Sequence, residues 1–302
     1  MPNRQRPRPE WSDLPADLRA AVEDVLKGSV VASGSRPGGW SPGSADLVTT
    51  ADGGRAFVKT ADARVNGRTV ELHRREAAVL RLLGGGAAPV LLGEVQAAPW
   101  YGLVVEAIDG RHPVAESAMD MTAMLDAVAA LPDASAGSDL TRIEDDLAGP
   151  ALGWRRLHKD GVDVGADLYG LDVLAGGLSG ALRGDAVLHG DLRVDNALIE
   201  SAGRGRLVDW PSAGVGPRFF DAITYLLDVR HLGGSVEAGL RHAVLRDVPP
   251  EHIDVLLSVL GAYFLDSARA PESPGLPGLR AYQRAQGETV LAWLLERRPD
   301  LR

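Results

Sequence analysis

The stretch Val187-Leu188-His189-Gly190-Asp191-Leu192-Arg193-Val194-Asp195-Asn196-Ala197-Leu198-Ile199 decides the reading of this chain. An apolar run enters, a polar loop follows and an apolar run leaves. Short apolar runs bounded by polar turns read as strands. The loop presents His189, Asp191, Arg193, Asp195 and Asn196. A few residues later Gly205-Arg206-Leu207-Val208-Asp209-Trp210 repeats the scheme, a short strand ending in Asp209. Two strands joined through Ser201–Gly205 bring Asn196 and Asp209 near one another.

Phosphoryl transfer from a nucleotide needs three things: a carboxylate to take or orient the hydroxyl proton, an oxygen-rich pair to hold Mg2+, and positive charge over the transferring phosphate. Asp191 suits the first role. Asn196 and Asp209 suit the second, because Mg2+ prefers hard oxygen ligands and takes only a few from protein. Arg193, two residues after Asp191, is placed to reach the phosphate.

His189-Gly190-Asp191, Asn196 five residues on and Val208-Asp209-Trp210 resemble the aminoglycoside phosphotransferase and choline kinase-like family, a branch of the protein-kinase-like superfamily. The Asp-to-Asn spacing equals that of the kinase catalytic loop. The resemblance implies Asp191 as catalytic base and Asn196 and Asp209 as metal ligands. Gly190 stands where protein kinases carry Arg, and Trp210 where they carry the Phe of D-F-G. The resemblance also implies that His189 packs the loop rather than acting as a base. By the same resemblance Asp221 in Pro217-Arg218-Phe219-Phe220-Asp221 would support the active-site loops. The implied fold class is α+β: a bilobal protein-kinase-like fold, with a small antiparallel sheet and one helix in the N-lobe and a larger, mostly helical C-lobe. The implied cofactors are ATP (or GTP) and Mg2+.

Working outward, residues 34–44 form a glycine-rich turn whose backbone N–H groups can approach phosphate oxygens, with Gly38, Gly39 and Ser41 the contacts. It is neither a Walker A motif nor a dinucleotide fingerprint. Lys59 ends the strand-like run Ala56-Phe57-Val58-Lys59 and resembles the strand-three lysine that pairs with the α- and β-phosphates. Glu76 is its expected partner. Leu72, Glu76 and Leu80 share one face of the helical segment 70–83, and a glutamate there needs a buried cation. Glu106 and Ala107 fall where the family's linker binds adenine through its backbone.

The remaining pattern predicts helices at 13–27, 115–131, 166–183, 218–231, 236–245, 250–268 and 277–297. Strands are expected at 30–32, 45–48, 55–59, 90–95 and 102–107. The predicted division is a disordered tail over 1–12, a nucleotide-binding lobe over 13–109, and a helical lobe over 110–302 with the catalytic loop and acceptor site. Trp154 and Tyr169 read as core residues, with stacking on a sugar as the alternative. Asp228, Glu251, Asp254 and Asp266 are acidic candidates for an acceptor site, with exposed helix charge as the ordinary alternative.

Composition narrows the function. The 302 residues carry 41 acidic against 32 basic side chains, a net charge of −9. That argues against nucleic acid, which needs a basic face, and is compatible with a cationic acceptor. With no cysteine there is no disulfide framework, zinc thiolate site or thiol nucleophile. The longest apolar stretch, Val255 to Leu265, is far below the roughly 18 residues a span needs. A cytoplasmic, non-membrane enzyme is expected, monomer or homodimer. The expected activity is transfer of a γ-phosphoryl group to a hydroxyl of a small molecule, foremost an aminoglycoside-like antibiotic or aminosugar, with antibiotic resistance as one role. The alternatives are a choline-like amino alcohol, a sugar or a nucleoside as acceptor, or a non-catalytic kinase-like nucleotide-binding protein. Protein phosphorylation fits poorly, because Asp221 follows Trp210 too soon for an ordinary activation loop. A metal-dependent hydrolase would leave Lys59 unexplained.

Overall fold

The computed structural model describes residues 9–36, 43–135, 138–272 and 276–302. The chain runs α1 (Ala16–Leu26), β1 (Val30–Ser35), β2 (Ser44–Thr50), β3 (Arg55–Asp62), α2 (Ala63–Leu83), β4 (Leu91–Ala97), β5 (Trp100–Glu106) and β6 (Gly110–Arg111). Five helices follow: α3 (Ala118–Ala129), α4 (Ile143–Ala148), α5 (Gly153–Lys159), α6 (Leu168–Ala175) and α7 (Leu178–Ala181). Then come β7 (Ala186–Leu188), β8 (Ala197–Glu200), β9 (Gly205–Leu207) and β10 (Gly214–Gly216). The chain closes with α8 (Phe219–His231), α9 (Glu237–Leu240), α10 (Ala243–Arg246), α11 (Pro250–Ser267) and α12 (Leu279–Arg297).

These elements form two compact units. An N-terminal unit takes the described residues through His112 together with Asp195–Ser212, and a C-terminal unit takes Pro113–Val194 and Ala213–Arg302. The segment carrying β8 and β9 joins the N-terminal unit for physical reasons. β6 pairs antiparallel with β8, and the Leu207 N–H donates to the Ala87 carbonyl at 2.8 Å. Arg206 ties the segment down further. Its guanidinium reaches Glu106 and Glu200, each at 2.7 Å, and the Ala88 carbonyl at 3.1 Å.

The N-terminal unit is built on a five-stranded antiparallel sheet of order β1-β2-β3-β5-β4. The period-two alternation of β3 gives it two different faces. Ala56 and Val58 face one way, and with Val48, Val95 and Val104 they bury against Trp11, Leu14, Leu18 and Val22 of the N-terminal segment and α1. Phe57 and Lys59 face the other way, into a cavity. α2 extends the unit beyond β3. Asn66 has non-helical backbone (φ −154°, ψ 89°), and its side chain accepts from the Thr69 N–H at 3.1 Å, so it restarts the helix as a cap. Gly84 (φ 64°) ends it, as the Gly84-Gly85-Gly86 run predicts.

In the C-terminal unit α11 and α12 form the central pair. α5 lies close on α11 through Gly153, where a Cβ would come within 2.4 Å of the Ala262 carbonyl oxygen. Trp154 is fully buried there, its indole N–H donating to the Ser258 carbonyl and hydroxyl at 3.0 Å each. Trp154 is thus core, as the sequence predicts, but Tyr169 is 75 % exposed and the expectation for it is corrected. Tyr169 sits at the start of an eight-residue helix whose inner face is carried by Leu171 and Ala175.

The expected helix over 166–183 is two, α6 and α7, parted at Gly176-Gly177, because paired glycines weaken a helix interior. The expected helix over 236–245 is also two, with His242 capping the second through its Nδ1. α1 begins only at Ala16, after a short 3-10 turn and Pro15. Among the described residues no helix is long and apolar enough to cross a membrane.

Candidate active site

The cavity of the N-terminal unit has a volume of about 590 Å3. Lys59, Glu76, Glu106, Ala107, Asn196 and Asp209 all line it. Leu47, Phe57, Val105, Leu198 and Val208 supply apolar walls. Apolar walls and many charged groups line it together, a mix that suits a ring bearing an anionic chain.

Lys59 is the hub. Its ammonium donates to both carboxylate oxygens of Glu76 at 2.8 Å and to Asp209 Oδ1 at 2.7 Å. Burial opposes its charge, but Asp209 and then Glu76 outweigh burial and hold its pKa above the ordinary lysine range. Burial pushes Glu76 up, and the Lys59 charge pulls it back. Two strong hydrogen bonds keep the pair ionised. The Trp210 N–H also donates to Glu76, at 3.4 Å, which ties the segment after Asp209 to α2. Lys59→Met is therefore expected to lower stability by about 3 kcal/mol, since it strands a buried carboxylate. Adding Glu76→Gln should recover much of that loss. Thermal melts of both single variants and the double variant check the coupling, and simple additivity would refute it.

Asp209 has a left-handed backbone (φ 71°), uncommon for a residue with a side chain. Such strain persists where surrounding contacts impose it, and it concentrates at functional sites. Here the Lys59 ion pair and the Trp210–Glu76 bond do so. The Asp209 side chain stays 42 % exposed while Glu76 is 3 % exposed. Asn196, buried, sits beside Val208 through the bond from the Val208 N–H to the Asn196 carbonyl at 2.9 Å. One carboxylate and one amide oxygen are hard donors, the kind Mg2+ accepts alongside phosphate and water. Among the described residues no group of three or more His, Asp or Glu forms a complete metal cage.

Glu106 and Ala107 differ in use. The Glu106 side chain is engaged by Arg206 and by the Val90 N–H at 3.1 Å. Burial opposes its charge, but Arg206 and Val90 outweigh burial and hold the carboxylate below the usual range. The Glu106 carboxylate is thus taken up within the unit. Gly38, Gly39 and Ser41 lie outside the described residues.

The loop bearing Asp191 belongs to the C-terminal unit. Gly190 has φ 80°, which explains glycine between His189 and Asp191. Asp221, fully buried on α8, accepts from the His189 N–H at 2.6 Å and from the Gly190 N–H at 3.0 Å. His189 Nδ1 accepts from the Asp191 N–H at 3.3 Å, so this buried histidine holds the loop. Asp228, two helical turns after Asp221, accepts from the Val194 N–H at 2.9 Å. Arg193 lies 3.7 Å from Asp191 and is packed over the Tyr282 ring, whose hydroxyl it contacts at 3.3 Å.

Residues 36–253 match the phosphotransferase enzyme family. The chain belongs to that family. A search of the curated proteins found no match. Among solved structures, this phosphotransferase is similar to the choline kinase LicA from Streptococcus pneumoniae, with 14 % identity, 91 % of this chain and 97 % of that one covered, and a TM-score of 0.59. It is also similar to aminoglycoside phosphotransferase APH(4)-Ia in ternary complex with ADP and hygromycin B (13 %, 92 % and 98 %, 0.56). A third is the amicoumacin kinase hAmiN, in complex with AMP-PNP and Ca2+ (12 %, 85 % and 88 %, 0.53). At these identities the likeness is one of fold. It bears out the expected α+β fold, shared with these kinases, while the phosphotransferase class rests on the family match.

In this phosphotransferase the acidic acceptor candidates are mostly engaged. Asp228 is buried and also accepts from Gln286 at 3.1 Å. Asp254 pairs with Arg297 at 2.6 Å, and Asp266 with Arg156 at 2.6 Å and Arg269 at 3.3 Å. Glu251 is exposed in the first turn of α11. Sequence reasoning missed Tyr282, His73 and the Arg206 clamp. The seven-residue spacing of Asp221 and Asp228 on one face of α8 was a signal for their shared loop-holding role.

Proposed function

We propose that this phosphotransferase moves the γ-phosphoryl group of ATP, or of GTP as the alternative nucleotide, to a hydroxyl of a small molecule, with Mg2+. The observation that carries this reading is the Lys59–Glu76–Asp209 cluster in a slot of nucleotide size, with Asn196 on the same wall. Neighbours of the same fold that hold ADP or AMP-PNP support it. Lys59 binds phosphate oxygens, and Glu76 orients Lys59. Asn196 and Asp209 would hold Mg2+, which when bound supplies positive charge to the phosphate chain. Asp191 takes the proton of the acceptor hydroxyl as the oxygen attacks phosphorus. Arg193, held by Tyr282 and close to Asp191, adds positive charge beside the acceptor oxygen.

The acceptor is read as an aminoglycoside-like antibiotic or aminosugar, with a choline-like amino alcohol, a sugar or a nucleoside as the alternatives. Because Asp254 and Asp266 are neutralised by arginines, the test panel needs uncharged polyols as well as amines. Purified protein with ATP and Mg2+ should convert one class to its phosphate ester, followed by ADP release and a phosphoryl mass gain. Failure to bind nucleotide, or ATP binding without transfer to any acceptor of the panel, sinks the assignment.

A further inference from the structure

α2 carries one more polar side chain on its cavity face. His73 lies three residues before Glu76, is 6 % exposed, and lines the same cavity as Lys59 and Asp209. Residues three apart on a helix share a face, so the fold aims both side chains the same way. A histidine that merely packs in a core normally hydrogen-bonds through a ring nitrogen. Nδ1 of His73 is buried with no hydrogen-bond partner. Nε2 is not buried in that way, and the space its ring lines is the cavity.

Burial pushes the His73 pKa down to about 3, the Lys59 charge adds to that, and Asp209 opposes it. The ring is therefore neutral near neutral pH, with one N–H and one lone pair. No acceptor stands beside Nδ1, which places the proton on Nε2. The charges that act on the ring are those of Lys59 and Asp209, so it sits at the charged end of the slot. Keeping an unpaired ring nitrogen there costs stability, which an apolar side chain would avoid. A neutral donor next to a lysine suits an anionic oxygen that already draws charge from that lysine.

We infer that His73 is a phosphate-binding residue of the nucleotide site, donating from Nε2 to a non-bridging oxygen of the phosphate chain. The inference rests on the nucleotide reading of the cavity. It assigns the ring a task that neither Lys59 nor the metal ligands perform: an uncharged hydrogen bond that fixes the phosphate chain without adding to the repulsion around Lys59.

The test is calorimetric binding of ADP with Mg2+ and of adenosine to the full chain, in wild type, His73→Met and His73→Gln. His73→Met is expected to weaken ADP about tenfold or more, the size of a lost hydrogen bond to a charged group. Adenosine affinity should be unchanged, and the melting temperature equal or higher. His73→Gln keeps an N–H donor and should recover part of the ADP affinity. Equal loss for ADP and adenosine, or no loss for either, overturns the inference while the nucleotide reading stands. Failure of the wild type to bind ADP overturns both. If His73→Met does not fold, nitrogen-15 spectra of the imidazoles in the wild type decide. A His73 Nε2 resonance that moves with ADP but not with adenosine supports the contact, and one that ignores ADP refutes it.

Discussion

Replacing Asp191 by asparagine is expected to lower kcat for phosphotransfer by about 1,000-fold, inside the range of 10²–10⁴ that a positioned general base contributes. The amide keeps the shape of the side chain and can still accept a hydrogen bond from the acceptor, but it cannot take the proton. Protein stability should hardly change. The Asp191 side chain is 48 % exposed, and the loop is fastened through other atoms, the His189, Gly190 and Val194 N–H groups. Nucleotide affinity should also hold, because Lys59, Glu76, Asn196 and Asp209 are untouched. The signature is a fall in kcat with an unchanged dissociation constant for ADP, which marks an interaction made in the transition state. If the variant turns over within about tenfold of wild type, proton removal is carried elsewhere and the base assignment is wrong.

The N-terminal unit was legible because its signals are local. Period-two alternation, the Asp52-Gly53-Gly54 turn and the Gly84 stop each act over a few residues, and β2, β3, α2 and β5 appear where those signals lie. The loop at 187–199 was legible for the same reason, since its polar residues sit at fixed spacing between two strands. Long-range pairings were not. β6 is two residues long, so no periodicity announces that it pairs with β8. The attachment of 195–212 to the N-terminal unit rests on that pairing and on Arg206, a single arginine in a strand that reads as an exposed charge. His73 is not announced by the apolar face of Leu72, Glu76 and Leu80. The same helix geometry, counted three residues back from Glu76, reaches it. Aromatic type alone does not separate a core residue from Tyr169, which stands beside the polar start of a short helix and is exposed.

The loop also carries the second large effect, through Asp221. Alanine there leaves two buried N–H groups, those of His189 and Gly190, without an acceptor, at a cost of about 1–3 kcal/mol each. Asp221→Ala is therefore expected to lose about 3 kcal/mol or more of stability and most of the activity, because the segment that aims Asp191 is no longer held. Asp221→Asn behaves differently. Its one carbonyl oxygen can serve one of the two donors, so the loop is partly kept, and the buried titrating group is gone. Burial pushes the Asp221 pKa up to about 7, the Asp191 charge adds to the rise, and the two N–H donors oppose it. The folded pKa thus lies above the unfolded value, and between the two the folded protein holds a proton that the unfolded chain has released. Stability from this group is full below about pH 4, falls as pH rises toward 7, and is flat above that. The difference in stability between Asp221→Asn and wild type should therefore shift in favour of the variant by about 2 kcal/mol from about pH 5 to about pH 8. Denaturant titrations of both proteins across that range read it directly. A difference that stays constant with pH would mean that Asp221 is ionised throughout and that the two N–H bonds outweigh its burial.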